Sequence, residues 1–393
     1  MQKRSLWILS FTLLVVMVGY GLVLPIMPFY IQNMGAGGRE LGWLMSTYSL
    51  MQLIFAPVWG MLSDRWGRKP VLSIGIFGYA ITLLFFGLAT QFWMLFVART
   101  LSGILSSATM PTAMAYIGDN TAEQERSAGM GKLGAAMGIG VVLGPLLGGW
   151  LSEYSLQLPF FVGAGAAFCA LLLVLLILPE SHNRKSAPAS TRWNWDSIRG
   201  IILSPAGILL LLIFLIAFGL ASFQGIIGLY VIQHLGFVTT QVGALWMVMG
   251  AVMIVVQGVL IGPLNKLLGE VTLIRLGMLG STIGYGLILL AGGFVSLLSA
   301  VGFLTLALAL VGPALNARIS HYAGDHLGGV MGLNSTASSL GRVAGPLWAG
   351  PLFDLEMTYP FIGGMSVLFI GFIVSLVGLR GKQYEALKVG KQI

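Results

Sequence analysis

Twelve apolar stretches constrain this chain more than any other feature of its sequence. They fall at roughly 5–31, 41–62, 70–90, 92–117, 128–151 and 158–179, then at roughly 201–233, 239–262, 272–292, 297–317, 328–352 and 358–379. Each is long enough to cross about 30 Å of hydrocarbon as a helix, which takes about 20 residues. In lipid the backbone must satisfy its own hydrogen bonds, and a helix does so within one segment. A chain with 57% hydrophobic residues, 9% charged residues and 55 glycines is not a water-soluble domain of ordinary composition. The expected fold is an all-α polytopic membrane protein with twelve transmembrane helices in two six-helix bundles. The first bundle covers 1–179 and the second 201–393, which ends in a short basic tail. Between them, 180–200 carries Arg184, Lys185, Arg192 and Arg199 with Pro188 and several serines, the composition of a hydrated linker.

Charge tests the topology. With both termini cytoplasmic, nearly all the bases fall inside, among them Lys3, Arg4, Arg65, Arg68, Lys69, Arg126, Lys132, the four linker bases, Lys266, Arg275 and Arg318. Only Arg39 falls outside. This is the positive-inside pattern, so the formal charge of +8 reflects topology and not a nucleic-acid surface. The apolar run after Arg4 passes Pro25 and Pro28 with no small-residue cleavage site and is expected to remain as the first helix. One cysteine, Cys169, leaves neither a disulfide framework nor a thiolate metal site.

The halves repeat each other. Met130-Gly131, Gly144-Pro145-Leu146, Gly149 and Leu151-x-Glu153 return at one constant offset as Met331-Gly332, Gly345-Pro346-Leu347, Gly350 and Leu352-x-Asp354. Pro111 and Pro313 obey the same relation within one residue. Parallel six-helix repeats about an axis along the membrane normal are the plan of alternating-access transporters.

Between the second and third segments, GMLSDRWGRKP (60–70) gathers Asp64, Arg65, Arg68 and Lys69 around Gly60 and Gly67. The glycines permit a tight reversal, and Asp64 can accept from free N–H groups at a helix start. The bland alternative is a loop of positive charge that only fixes topology. The second-half counterpart, Gly258 to Glu270, reads as degenerate, with Gly262 where the acid would stand.

The pattern Gly-x-x-x-Asp-Arg-x-Gly-Arg-Lys resembles the loop 2–3 signature of the major facilitator superfamily. Three further elements resemble its twelve-helix drug:proton antiporter branch: Val18-Gly19 with Pro25-Ile26-Met27-Pro28 in the first helix, Leu95, Arg99 and Gly103 in the fourth, and Gly140-x-x-x-Gly144-Pro145-x-x-Gly148-Gly149 in the fifth. Gly332 to Asp354 is similar to the eleventh helix of Gram-positive multidrug exporters. The resemblance spans the whole chain and implies transport, with Arg99 in the coupling machinery. The sequence also departs from those relatives. Gln224 stands where they carry Glu after Phe-Gly-Leu-Ala-Ser-Phe, and Ala309 and Gly312 replace an acid and an arginine. The acids of tetracycline exporters in helices 1 and 3 are missing.

Two bases lie within apolar segments, where an arginine costs roughly 2.5–3.5 kcal/mol at the helix centre. Arg99 faces a cavity, a partner or a substrate, or else it snorkels to the headgroups. Arg342 lies between Gly341 and Gly345 with no acid within two turns in sequence. None of the 13 acids sits in the middle of a span, and the four histidines lie in loops or at helix ends. A proton carrier would therefore act at the rim, at Asp119 or Asp64, or not at all. The glycines at 140, 144 and 148 let a neighbouring helix approach, and Pro145 bends the segment; Gly144-Pro145 is expected at the contact between bundles. Cavity candidates are the aromatic and thioether side chains of Tyr20, Tyr48, Phe223, Trp246 and Met247 and the polar Gln52, Gln224, Asn316, Asn334 and Ser339.

The expected function is secondary active efflux of drugs or other amphipathic small molecules by alternating access, in exchange for protons. The alternative is export of a specific anionic or neutral metabolite, bound by Arg99 and Arg342 and not proton-coupled. No nucleophile–base or metal-ligand cluster suggests an enzyme. The expected partners are a small-molecule substrate, protons and the bilayer, with no nucleic acid. No cofactor is expected beyond the proton gradient, and the protein is expected as a monomer in the cell inner (plasma) membrane.

Overall fold

The computed structural model describes residues 3–121, 123–181, 199–201, 203–323 and 327–379. The expected linker is described only at its ends, and the basic tail from 380 lies outside the described residues. We number the helices α1 Lys3–Asn33, α2 Gly38–Trp66, α3 Arg68–Leu88, α4 Phe92–Ser106, α5 Thr109–Asn120, α6 Glu123–Leu151 and α7 Leu158–Ile177. After the linker come α8 Pro205–Leu235, α9 Thr239–Val255, a π-helical turn Val256–Leu260, α10 Ile261–Leu268, α11 Glu270–Leu290, α12 Phe294–Ala323, α13 Leu327–Leu355 and α14 Tyr359–Gly378.

Eleven described spans are long and apolar enough to cross a membrane, with α4–α5 and α9–α10 each counting as one. The twelfth, α13, is 29 residues long. Its hydropathy is diluted by Asn334, Ser335, Thr336, Ser338, Ser339 and Arg342. Large apolar side chains such as Trp7, Leu176 and Leu290 are exposed, as they are on a surface solvated by lipid and not by water.

The backbone carries the repeat in its turns. Every positive φ among the described residues belongs to a glycine: Gly35 (72°), Gly67 (105°), Gly236 (65°) and Gly269 (75°). They form two pairs. Gly35 follows α1 as Gly236 follows α8, and Gly67 joins α2 to α3 as Gly269 joins α10 to α11. The second pair is one residue further apart than the first. The π-helical turn at Val256–Leu260 accommodates that extra residue, as π-bulges do.

By contacts the chain forms two compact units. Of the described residues, one unit holds those within 1–190, 224–251 and 346–357, and the other those within 191–223, 252–345 and 358–393. The end of α8, most of α9 and the end of α13 thus group with the first-half helices, which differs from the sequence division at 179 and 201. In the first unit, α1 packs on α6 and α7, α3 on α4 and α7, and α2 on α4. Tyr30 donates to the carbonyl of Ala89 (3.2 Å), and its ring meets Phe160 edge-on at 5.5 Å. In the second unit, α11 lies against α12 and α14. There the Tyr285 hydroxyl donates to the carbonyl of Gly219 at 2.6 Å, with Phe223 edge-on at 6.0 Å.

Candidate functional site

The α2–α3 reversal turns on Gly67 alone. Gly60 lies inside α2 with open space around it, so the reversal does not need it, contrary to the expectation from sequence. Gly67 has φ 105° and ψ 158°, a region that is essentially glycine's. A Cβ there would also lie 2.6 Å from Oε2 of Glu180. That carboxylate occupies the start of α3: Arg68 N donates to Oε1 at 2.9 Å and Lys69 N to Oε2 at 3.2 Å. The helix-start acceptor expected at Asp64 is therefore Glu180, an acid at the head of the linker that sequence reasoning left unused.

Asp64 instead turns to the side chain of Arg68. The guanidinium meets Asp64 Oδ1 at 2.5 Å through NH1 and Asp119 Oδ2 at 2.8 Å through Nε, and NH1 also donates to Ser63 Oγ at 2.6 Å. The Arg68 side chain is 10% exposed, against 38% and 32% for its two acids. One buried base thus ties the end of α2 to the end of α5 through two carboxylates that water can reach. Arg65 is exposed and Lys69 half-buried.

The second unit holds the counterpart, and it is not degenerate. With Gly269 set against Gly67, Asp64 corresponds to Lys266, Arg68 to Glu270 and Asp119 to His321. Glu270 Oε1 lies 3.5 Å from Nε2 of His321, and Oε2 lies 3.8 Å from NH1 of Arg318. The same turn recurs with its charges inverted, an acid held between bases on α12. The sequence reading set Gly258 against Gly60, four residues out of register with the match of Gly269 to Gly67, and so placed Gly262 opposite Asp64.

Arg99 is 2% exposed on α4. Its guanidinium lies 4.5 Å above the centre of the Tyr48 ring, and NH2 donates to Met45 Sδ at 3.3 Å. Its Nε is buried with no hydrogen-bond partner among the described residues. Tyr48 packs on Tyr20 at 5.9 Å and shares its hydroxyl with Ser106 and Gln52, both at 3.4 Å. Tyr20, Tyr48, Gln52 and Arg99 thus come together at membrane depth. Arg99 turns inward onto a ring face, which decides against snorkelling.

Arg342 is exposed on α13, where it donates to Ser338 Oγ (3.2 Å) and Ser339 Oγ (2.8 Å). It lines a cavity of about 250 Å3 with Asn316, Asn334 and Ser338 and with Ile213, Ile216 and Gly312. Asn334 Nδ2 donates to Asn316 Oδ1 at 2.8 Å. The other cavity candidates behave differently. Phe223 is fully buried in the core, Trp246 is buried with no partner for Nε1 among the described residues, and Gln224 and Met247 are half-buried.

The α6 motif divides its work between two neighbours. Cβ atoms on Gly140 and Gly144 would lie 2.7 and 2.5 Å from the carbonyls of Leu14 and Val18, and one on Gly148 would lie 3.0 Å from that of Leu22; all three belong to α1. Pro145 Cδ crowds Gly21 on the same helix. Gly144-Pro145 thus sits chiefly on α1, within one bundle. The contact with a second-half helix is made instead by Gly149, against Thr239 and Thr240 of α9, and by the Pro145 carbonyl against Gly243. The repeat-related contact joins α13 to α2: the Pro346 carbonyl faces Gly42, and Gly350 faces Gly38. Asp354 seals it by accepting from Gly38 N (2.7 Å) and Arg39 N (2.9 Å) at the start of α2. Only the equivalence of Glu153 and Asp354 hinted at that role in sequence.

A family model described as "Major Facilitator Superfamily" matches residues 9–346. The chain belongs to the major facilitator superfamily. It is 33% identical over 392 residues to "Multidrug resistance protein 2" of Bacillus subtilis, covering 98% of each chain. "Quinolone resistance protein NorA" of Staphylococcus aureus is 26% identical over 395 residues, again covering 98% of each. Its likeness to Gram-positive multidrug major facilitators therefore runs the length of the chain. Among solved structures, a bacterial homologue of the lysosomal transporter Spinster matches with a TM-score of 0.79 at 15% identity, covering 95% of this chain and 96% of that one. A peptide transporter bound to sulfate matches at 0.76 and 16%, covering 96% and 94%. These two share the fold. A major facilitator is a membrane transporter and not an enzyme, and the twelve-helix reading stands with it.

Proposed function

We propose that the chain exports drugs or other amphipathic small molecules by alternating access, in exchange for protons. The observation that carries this reading is the near full-length likeness to proteins named for multidrug resistance. The geometry supports it through Arg99, a buried cation on the Tyr48 ring face at membrane depth, with Tyr20 packed beside that ring. In this reading both termini are cytoplasmic, the sequence halves 1–179 and 201–393 are the two rocking bundles, and the protein sits in the cell's plasma membrane.

Proton coupling then belongs to the rim. Asp64 and Asp119 are half-exposed yet hold the buried Arg68, so protonating either carboxylate weakens the tie between the ends of α2 and α5. Release of that tie opens the cytoplasmic gate, and deprotonation re-forms it. The test uses proteoliposomes with a pH-sensitive dye inside, to which lipophilic cations, neutral drugs and organic anions are added in turn. Proton movement that depends on a cation or neutral drug is the expected result. Transport without any proton signal would remove the coupling, and no transport of amphipathic compounds would remove the efflux reading.

A further inference from the structure

We infer that the cavity around Arg342 is a subsite for the carboxylate of an amphipathic organic anion, an assignment that rests on the transporter reading and names a substrate class for it. Four observations converge on this class. First, Arg342 stands midway along α13, at membrane depth, and its hydrogen bonds go to two hydroxyls of its own helix, Ser338 and Ser339. Those bonds leave N–H donors of the guanidinium unused, in the planar arrangement that matches a carboxylate. Second, no acid is among the described residues that line the cavity, so the site carries a positive charge for a ligand to balance.

Third, the Asn334–Asn316 bond fixes both amides. With Oδ1 of Asn316 accepting, its Nδ2 is left to donate beside Arg342. Fourth, Ile213 and Ile216 supply an apolar face in the same cavity, and Gly312 has open space where a Cβ would be. The cavity therefore offers both donors to an oxyanion and apolar surface to a hydrocarbon. About 250 Å3 suits a fused-ring fragment or the acidic end of a larger compound.

The experiment measures equilibrium binding of radiolabelled 2-naphthoate and of its neutral isostere 2-naphthamide to the full chain in nanodiscs, with empty nanodiscs subtracted. The wild type is expected to prefer the acid by about tenfold, as one charge-assisted bidentate contact gives. Arg342→Gln removes the preference, and a thermal midpoint in nanodiscs equal to that of the wild type reports that the variant is folded. Arg342→Lys keeps a reduced preference, and Gly312→Leu weakens both ligands by filling the cavity. Equal affinity for acid and amide in the wild type, or a preference that survives in Arg342→Gln, overturns the proposal. If amphipathic drugs are transported but the preference is missing, the subsite alone falls. If the preference is present but no drug is moved, the subsite stands and the drug-efflux reading falls.

Discussion

Arg99 shows how a charge is kept in a membrane span with no counter-ion among the described residues. Its partners are a ring face and a sulfur, and a cation over a desolvated ring is worth about 2 kcal/mol. Tyr48→Phe keeps the face and should leave drug efflux within about twofold, whereas Tyr48→Leu should lower it by about tenfold. Efflux rates normalised to the amount of protein in the membrane check this, and a full-rate Tyr48→Leu would deny the ring its role. Gly67 makes the second residue-level case. Gly67→Ala meets both a disallowed backbone angle and the Glu180 carboxylate, so it should cost about 1–3 kcal/mol. Gly60→Ala, in open space inside a helix, should stay within about 0.5 kcal/mol of the wild type. Thermal midpoints in detergent separate the two, and equal midpoints would put the turn elsewhere.

At the scale of the helix, spacing alone announced that α6 packs closely, because glycines four apart share a face. Which neighbour fills that face is not in the spacing. The backbone of α1 takes positions 140, 144 and 148, while position 149, turned about one residue further round, meets α9. Gly144→Ala places a methyl against backbone atoms that cannot move aside, so α1 and α6 must separate. A drop of several degrees in thermal midpoint and loss of efflux are expected. Gly134→Ala, with nothing within 4 Å, should change neither. A stable, active Gly144→Ala would mean that the motif acts by something other than close approach. The same limit explains why the second charged turn was missed. Its register was set from Gly60 and Gly258, four residues away from the match of Gly67 to Gly269, and only the positive φ that the latter two share fixes the alignment.

Over the whole molecule, the two turns carry opposite charges in equivalent places: Arg68 between acids and Glu270 between bases. If both act in transport, Asp64→Asn and Glu270→Gln should each slow efflux, by about fivefold for a loss of about 1 kcal/mol, with membrane insertion unchanged. A full-speed Asp64→Asn would remove the gate role of the first turn, and a full-speed Glu270→Gln would reduce the second to packing.

The sequence by itself determined the class, the number of spans, the repeat and the positions of its two membrane-depth bases, because lipid forces apolar length and makes each buried charge conspicuous. It did not determine pairing. Only the tertiary structure decided that Glu180 and not Asp64 starts α3, that Asp354 caps α2, and that Arg99 rests on Tyr48 while Arg342 opens on a polar cavity. Each of these contacts joins residues distant in sequence, and helix packing sets their approach.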